Sequence, residues 1–363
     1  MSELMQASRQ WATRPDDQRF TSLTQMQKHF HAVREASHAI VRASRKIEAM
    51  PTPDNAGLLV SVQGEDVDML APTNWSFGQL AQIAEAPASY LRSLASPLAA
   101  DCINYGLKVK RSVEDVGLLY HKNGGPAQLR AATGPKYGRI WNADILDKLV
   151  LRFGDGLSGD WRVPGEFGKR VDVSADNTTL YASDRDCFIF LADEDHRIEI
   201  PNRRNGETGT LARGFFLWNS EEGKSSFGLS TFLFDYACCN RIVWGAREYA
   251  EVIIRHTSGA PDRFIEEIQP ALKRYAESST ASVVHAIEDA RKAKLQDDVD
   301  TFLANRYGKR MVQVLKDVHD AEEKRPIETR WDVVTAVTAY ARSIEQTDRR
   351  IELEKDAGEL LTA

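Results

Sequence analysis

The spacing of hydrophobic residues divides the chain into a helical beginning, a strand-rich middle and a helical end. From Ser22 to Met50, apolar residues recur at intervals of three and four, which predicts a helix over that stretch. The break PTPDNAG at 51–57 precedes LLVSVQ, whose alternation predicts a short strand. In the next helical section, we expect Ser76 to cap FGQLAQIAEA and Pro87 to interrupt the helix.

Short β-rich segments separated by Gly, Asn, Asp and Pro fill the middle of the chain. They are GLLYHK, AQLRAAT, DNTTLY, DCFIFLAD and GFFLWN. Between them, ADILDKLVLRF predicts a short helix capped by Asn142, and WGAREYAEVIIRH predicts another helix. Beyond Pro261 helical spacing dominates, and Trp331, Val334, Thr338, Ala341 and Ile344 predict one buried stripe.

These patterns predict an α+β fold with a largely antiparallel sheet core, a helical N-terminal section and a helical C-terminal third. We expect a mobile N-terminus at 1–20, a core domain at 21–260 and a helical region at 261–363. A chain of 363 residues is long enough for two domains, or for one large domain with a helical appendage.

Composition indicates a soluble globular protein. Hydrophobic residues make up 42% of the chain and the mean hydropathy is −0.42. No run approaches the ~18 apolar residues of a spanning helix, and the N-terminus lacks the apolar region of a signal peptide. The four cysteines form no CxxC pair, and the eight histidines show no HxxxH or HExxH spacing. We therefore expect a cytoplasmic protein with reduced thiols, no membrane partner and no cofactor.

Charge is distributed unevenly along the chain. The net charge is −6, which argues against broad non-specific affinity for nucleic acid. However, residues 108–141 hold seven basic side chains against two acidic ones, whereas residues 155–199 hold eleven acidic against five basic. The basic segment is compatible with a confined anion site, and equally with two faces that neutralise each other.

Gly223-Lys224-Ser225 matches the end of a phosphate-binding loop, but its surroundings do not. Such a loop needs a glycine five positions before Gly223, where this chain has Trp218. A helix should follow the lysine, whereas SSFGLSTFLF has the composition of a strand. The sequence therefore predicts a hairpin turn at SEEGK, with Lys224 as a surface cation.

The segment LRAATGPKYGRIWN, at 129–142, is the candidate nucleic-acid contact. Cations alternate in it with aromatic residues, and a single strand needs both, charge for its phosphates and ring faces for its bases. The alternative is a turn whose rings pack inward. The loop PNRRNGETGTLARG supplies supporting cations. The candidate residues are Arg130, Lys136, Tyr137, Arg139, Trp141, Arg203, Arg204, Arg213 and Lys224.

Two other constellations suggest catalysis. Asp184, Asp186, Asp193, Glu194, Asp195 and His196 could hold a divalent metal for phosphodiester chemistry, or form a solvated acidic turn after a strand. Cys238 and Cys239, with His256 and Glu251, could supply a thiol nucleophile and base, or be small buried hydrophobic residues. We favour the structural interpretation of both.

From about residue 70 to its end, the chain resembles the phage/plasmid-like protein family of domain of unknown function 932. Arg241 stands where the resemblance leads us to expect a histidine after Asn240. The blocks that carry the resemblance are WSFGQLAQIAEAPASYLRSL, LRAATGPKYGRIWNADIL, DRDCFIFLADE, RGFFLWNSEEGKSSFGLSTFLFDYACCNRIVWGA, IRHTSGAP and TRWDVVTAVTAYAR.

The resemblance implies a gene of phages, plasmids or integrated elements, often beside replication and recombination functions. A sheet core with helical flanks is also reminiscent of single-strand annealing recombinases, an analogy of fold only. We therefore expect a non-enzymatic, homo-oligomeric protein that binds DNA, preferably single-stranded, and assists recombination or replication. The alternatives are a metal-dependent nuclease or phosphoesterase that uses the acidic cluster at 184–196, and an anti-defence or other protein-interaction protein without a nucleic-acid role.

Overall fold

The computed structural model describes residues 19–64, 69–109, 115–122, 127–164, 172–204, 206–235, 240–242, 252–277, 280–295, 298–344 and 347–361. The strands in them are β1 Arg19–Phe20, β2 Ser37–Ala43, β3 Ile47–Pro51, β4 Leu58–Val62, β5 Ala71–Pro72, β6 Asp115–His121, β7 Gln128–Thr133, β8 Trp161–Arg162, β9 Leu180–Ala182, β10 Cys187–Arg204, β11 Glu207–Asn219, β12 Phe227–Asp235, β13 Asn240–Ile242 and β14 Val252–Ile254.

The helices in the same residues fall before, within and after the strand-rich middle. They are α1 Leu23–Glu35, α2 Asn74–Ile83, α3 Ala88–Ser93, α4 Ser96–Val109, α5 Asn142–Phe153, α6 Ala260–Glu277, α7 Thr280–Lys292, α8 Val299–Tyr307, α9 Lys309–Glu323, α10 Arg330–Ala341 and α11 Thr347–Leu361. The α+β class and the helical C-terminal part that the sequence predicted are confirmed.

The main sheet is antiparallel in all its described pairings and has the order β1-β9-β10-β11-β12-β13. Strand β8 also pairs with β10, and β14 also pairs with β12. A second sheet has the order β2-β6-β7-β5, in which β5 and β7 run parallel. Strands β3 and β4 form a separate hairpin.

Each face of the main sheet packs into a different core. One face carries Ile189 and Phe215 into a core shared with α1, α5 and α6, to which Leu146 and Phe264 belong. The opposite face carries a row of aromatic residues that includes Phe190 and Phe232, with ring centroids 4.7 Å apart. The alternation of side chains along β10, β11 and β12 sends successive residues to opposite faces and so separates the two cores.

The turn between β11 and β12 confirms the hairpin predicted at SEEGK. Trp218 pairs with Gly228 across it, and β12 begins at Phe227, where a phosphate-binding loop would begin a helix. A Cβ on Gly228 would lie 2.0 Å from the ring of Trp218, so the glycine makes room for the indole.

The helix predicted from Ser22 to Met50 is correct only in its first half. Ser22 caps α1 by accepting a hydrogen bond from the Gln25 amide, and the helix ends at Glu35. The chain then forms β2, in which Ile40 pairs with Leu118. The apolar spacing was misleading because Ile40 and Val41 are β-branched residues, which favour a strand where a partner strand such as β6 is available.

Two helix starts differ from the sequence prediction. Thr73, not Ser76, caps α2, and its hydroxyl accepts a hydrogen bond from the Ser76 amide at 3.1 Å. Trp141 occupies the cap position of α5, and Asn142 is the first residue of the helix. Pro87 interrupts the helical section as predicted, since α3 begins directly after it.

Three further predictions need correction. The acidic residues after CFIFLA continue strand β10 and do not form a turn, with an irregular register between Asp193 and Ile198. Residues 252–254 form β14 and are not helical, whereas 243–251 lie outside the described residues. Helix α10 is buried on nearly its whole circumference, not along one stripe, and Ile344 lies beyond its end.

The described part of the chain contains no helix that is both long and apolar enough to cross a membrane. The predicted mobile N-terminus falls almost entirely on residues 1–18, which lie outside the described residues.

Candidate functional site

The hairpin turn at 220–226 is held by side chains from two other parts of the chain. From the segment that follows β7, the Tyr137 hydroxyl donates to the Ser220 carbonyl at 2.8 Å, and Arg139 Nε donates to the Glu221 carbonyl at 2.9 Å. From α2, Trp75 Nε1 and Gln79 Nε2 both donate to the Glu222 carbonyl, at 3.0 and 2.6 Å. The turn is therefore fixed between α2 and the segment at 134–142.

The two glutamates of this turn point inward and meet a buried arginine. Arg130 donates through Nη2 to Glu221 Oε2 at 2.9 Å and also to Glu222 Oε1. The Glu221 and Glu222 side chains are only 1% and 2% exposed. Glu221 also accepts the Asn142 amide at 2.7 Å, so its carboxylate ties the start of α5 to the turn. Buried charges are tolerated when they are paired and hydrogen-bonded in this way.

Glu222 has a strongly perturbed acidity. Burial, and after it the neighbouring Glu221, raise the pKa of Glu222 to about 8, although Arg130 and Arg139 oppose the shift. Burial also opposes the charge on Arg130, but the two glutamates outweigh it and raise the pKa of that guanidinium. At neutral pH Arg130 is therefore charged and Glu222 keeps a proton.

Outside this cluster, cations and aromatic rings alternate along a row that we call the ladder, formed by Arg34, Trp141, Arg139, Tyr137 and His256. The Arg34 and Arg139 guanidinium carbons lie 5.3 and 5.5 Å from the Trp141 ring centroid. Arg139 also lies 5.5 Å from the Tyr137 ring centroid. Tyr137 in turn stacks on His256, with ring centroids 4.8 Å apart. These are the distances of cation–π and stacking contacts.

Hydrogen bonds join the ladder segment to His256, which follows strand β14. Gly138 N donates to the His256 carbonyl at 3.1 Å, and His256 Nδ1 lies 3.0 Å from the Gly138 carbonyl. A Cβ on Gly138 would lie 1.8 Å from the Thr257 carbonyl oxygen. Burial lowers the pKa of His256, so the ring that stacks on Tyr137 is neutral at pH 7.

All five ladder side chains are partly exposed, and exposed cations flank them. Lys136 precedes Tyr137 and has no described contact, while Arg255 precedes His256 on the facing segment. Arg34 is ion-paired with Asp144 at 2.5 Å, so its charge is partly compensated. The sequence predicted Lys136, Tyr137, Arg139 and Trp141 as one site, and the structure brings the last three into one row with Lys136 beside them.

The other residues of the predicted site lie in different surroundings. Arg130 is buried in the glutamate pair, and Arg213 is buried beside Asp193 at 3.2 Å. Lys224 is an exposed cation, as predicted, with its Nζ 2.5 Å from Asp186 Oδ2. Arg203 and Arg204 belong to the end of β10, and their side chains lie outside the described residues.

Three carboxylates of the acidic cluster at 184–196 are paired with basic side chains. Arg162 contacts both carboxylate oxygens of Asp195, at 2.5 and 2.8 Å, while Arg213 pairs with Asp193 and Lys224 with Asp186. Within the described ranges, no three His, Cys, Asp or Glu side chains are grouped to hold a metal ion. The predicted pair Cys238 and Cys239 lies outside those ranges, as does Glu251.

Comparison with known proteins gives one match. A family model described as Domain of unknown function (DUF932) matches residues 169–358. The chain belongs to this family. No curated protein and no solved structure matches the chain. The matched region runs from before β9 to within α11 and includes the turn at 220–226, whereas the 134–142 segment and α2, which hold that turn, precede it.

Sequence reasoning missed part of the site. Arg34 and His256 complete the ladder from two other parts of the chain, and no local pattern connects them with Trp141. The buried role of Glu221 and Glu222 had one available signal, since only Ser220 separates the pair from the strand-like run GFFLWN.

Proposed function

We propose that this protein binds single-stranded nucleic acid, with DNA as the expected form, and that the ladder is its contact surface. The observation that carries the proposal is the alternation of partly exposed rings and cations over Arg34, Trp141, Arg139, Tyr137 and His256. Ring faces accept stacked bases of any sequence, and guanidinium or ammonium groups beside them neutralise the phosphates.

Hydrogen bonds to the turn and to the His256 segment hold the ladder in place. Tyr137 and Arg139 donate to the carbonyls of Ser220 and Glu221, and Gly138 is paired with His256. A preorganised surface loses less conformational entropy on binding, which favours affinity for a flexible partner such as a single strand.

Within this site we assign different roles to the predicted cations. Lys136 is exposed and supplies a phosphate contact, and Arg139 supports Trp141 and Tyr137 while it presents charge at the surface. Arg130 acts from inside, because it fixes Glu221 and Glu222 and thereby the turn that holds the ladder. Arg203, Arg204, Arg213 and Lys224 remain secondary candidates for backbone contacts along a longer strand.

The family resemblance gives this binding a context. We propose that the protein is encoded by a phage, plasmid or integrated element, acts in the cytoplasm on element DNA, and assists recombination or replication without catalysing a reaction. A strand longer than one ladder needs several copies of the site, which supports a homo-oligomer.

Fluorescence anisotropy of a labelled dT20 oligonucleotide tests the proposal. We expect binding at 50 mM salt that weakens steeply toward 200 mM, because log K falls by about 0.7 per neutralised phosphate for each decade of salt on single strands. Lys136→Glu should lower the affinity about tenfold and reduce the salt slope, while duplex DNA of the same length binds more weakly.

The control variant combines Lys292→Glu and Lys309→Glu, at exposed positions on α7 and α9. It changes the net charge by more than Lys136→Glu does. It should leave the affinity for dT20 nearly unchanged. No binding at 50 mM salt, or equal losses in the control and in Lys136→Glu, would contradict the proposal. If the chain does not bind DNA but captures a host protein, the protein-interaction alternative is favoured.

A further inference from the structure

A cavity of about 460 Å³ lies between α1, the ends of β6 and β7, and the residues that follow β9. Its volume falls in the range of about 300–1,000 Å³ that is typical of small-molecule sites. The cavity is distinct from the ladder, although α1 contributes Arg34 to one and His29 to the other. Its polar lining residues are His29, His121, Gln128, Arg130, Ser183 and Asp184.

Hydrogen-bond donors converge on this cavity without described protein partners. Arg130 has five N–H groups, and its described bonds use three of them, one to Ser37 and two to the glutamates. The ring nitrogens of His29 and His121 and the amide of Gln128 make no hydrogen bond within the described residues. An arginine and two imidazoles on one wall are the groups that recognise a phosphate.

The rest of the wall suits a flat apolar group. Phe20 and Phe30 form an aromatic group around His29, with the His29 ring centroid 5.0 and 5.2 Å from those of the two phenylalanines. Val33 extends this apolar surface, and the carboxylate of Asp184 lies exposed near Ser183. The rings of Phe20 and Phe30 could stack on the base of a nucleotide, and the carboxylate of Asp184 could accept hydrogen bonds from its sugar hydroxyl groups.

The charge around the cavity depends on the two histidines. Burial and the positive charge of Arg130 lower the pKa of His29 and of His121, so both imidazoles are neutral at pH 7. The charged groups around them are Arg130, Glu221 and Asp184. A bound phosphate would oppose the effect of Arg130 and favour a proton on each imidazole.

We propose that this cavity binds the phosphate monoester of a nucleotide, with Arg130, His29 and His121 on the phosphate and with Phe20, Phe30 and Val33 against the base. Two sources present this chemistry, a free mononucleotide and the phosphorylated end of a DNA strand. The proposal does not depend on the ladder, since a free mononucleotide requires no strand binding.

Isothermal titration of the full chain with each of the four deoxynucleoside 5′-monophosphates, and with the matching nucleosides, tests the first source. Competition between dT12 with a terminal 5′- or 3′-phosphate and dT12 with hydroxyl ends tests the second. The variant is His29→Ala with His121→Ala, and the control is His31→Ala, because His31 lies on the same helix but contacts Asp147 at 2.7 Å. Thermal melting checks that all three chains are folded.

We expect at least tenfold preference for the phosphorylated form of one source, lost in the double variant and kept in His31→Ala. The preference should grow about fivefold from pH 8 to pH 6.5, because the anion raises the lowered pKa of the histidines, and the double variant should lack this change. Equal affinity for phosphorylated and unphosphorylated forms of both sources overturns the proposal. If dT12 still binds through the ladder in that case, the proposed function stands while this inference fails.

Discussion

Arg130 and Arg139 belong to one segment, nine residues apart, yet their environments differ. Arg130 is buried and paired with two carboxylates that are themselves nearly inaccessible. Arg139 lies between two partly exposed rings and donates only one described hydrogen bond, to a backbone carbonyl. Similar sequence contexts therefore give one cation that holds the fold together and one that faces a partner.

The difference follows from what each guanidinium meets. Two buried carboxyl groups compensate the desolvation of Arg130, so loss of both would leave the arginine as an unpaired buried charge. The rings beside Arg139 attract the cation without forming an ion pair. Burial lowers the pKa of its guanidinium and Glu221 attracts it from the turn, and we assign its remaining charge to a phosphate. The predictions below test this division of roles, beginning with the inner arginine.

The largest effect is expected for Arg130→Met. This change leaves Glu221 and Glu222 without their cation, and it should lower the free energy of unfolding by about 3–5 kcal/mol. Urea denaturation measures the loss. Adding Glu221→Gln and Glu222→Gln to the same chain should restore much of it, because no buried charge then remains. A loss below 1 kcal/mol for Arg130→Met would contradict the structural role.

The next largest loss of stability is expected for Gly138→Ala. Its new Cβ would lie 1.8 Å from the Thr257 carbonyl oxygen, so the contact between the ladder and the His256 segment must shift. We expect a destabilisation of about 1–3 kcal/mol together with weaker binding to dT20. Gly134→Ala is the matched control, since a Cβ there meets no atom within 4 Å. Equal effects of the two changes would argue against the close approach.

The buried cluster of Arg130, Glu221 and Glu222 should also make stability depend on pH. The pKa of Glu222 is raised to about 8 in the fold, so the folded chain keeps a proton that the unfolded chain releases near its ordinary value of 4.5. Stability should therefore fall as pH rises from 5 to 8, with a slope of up to about 1.4 kcal/mol per pH unit. Thermal melting across this range measures the change. Glu222→Gln removes the titration, so a slope that persists unchanged in this variant would contradict the assignment.

The smallest change in free energy is expected for Trp141→Leu, which concerns the outer surface alone. Loss of one stacking platform should lower the affinity for dT20 about tenfold, near 1.4 kcal/mol, with the salt slope unchanged because no phosphate contact is lost. Trp75→Leu serves as a comparison, because Trp75 donates to the Glu222 carbonyl on the inner side. Trp75→Leu should lower stability more than it lowers the affinity for DNA. A larger loss of DNA affinity for Trp75→Leu than for Trp141→Leu would contradict the assignment of the ladder as the binding surface.

Much of this architecture was predictable from the sequence. The hairpin at SEEGK, the strands GLLYHK and AQLRAAT and the C-terminal helices each follow from local patterns of period and turn residues. The helix expected from Ser22 to Met50 ended early because β2 gains its stability from pairing with β6, a contact that no local pattern contains. Similarly, the acidic residues near Asp193 form part of a strand because Arg162 and Arg213 neutralise them from elsewhere.

The candidate site shows the same limit. Cations and rings in GPKYGRIWN were visible in the sequence, but exposure could not be read from it, and so Arg130 and Arg139 were predicted as equals. Their separation depends on Glu221 and Glu222, about ninety residues further along the chain. Long-range pairing of charges decides which member of a basic cluster reaches the surface.

Ultraviolet cross-linking of dT20 to the full chain, followed by mass spectrometry of the linked peptides, tests the central claim most directly. The account predicts cross-links on the peptide that contains Tyr137 and Trp141, with a second site at His256, and a marked decrease after Lys136→Glu. Cross-links confined to the helices between 260 and 361, or a yield that Lys136→Glu leaves unchanged, would contradict it.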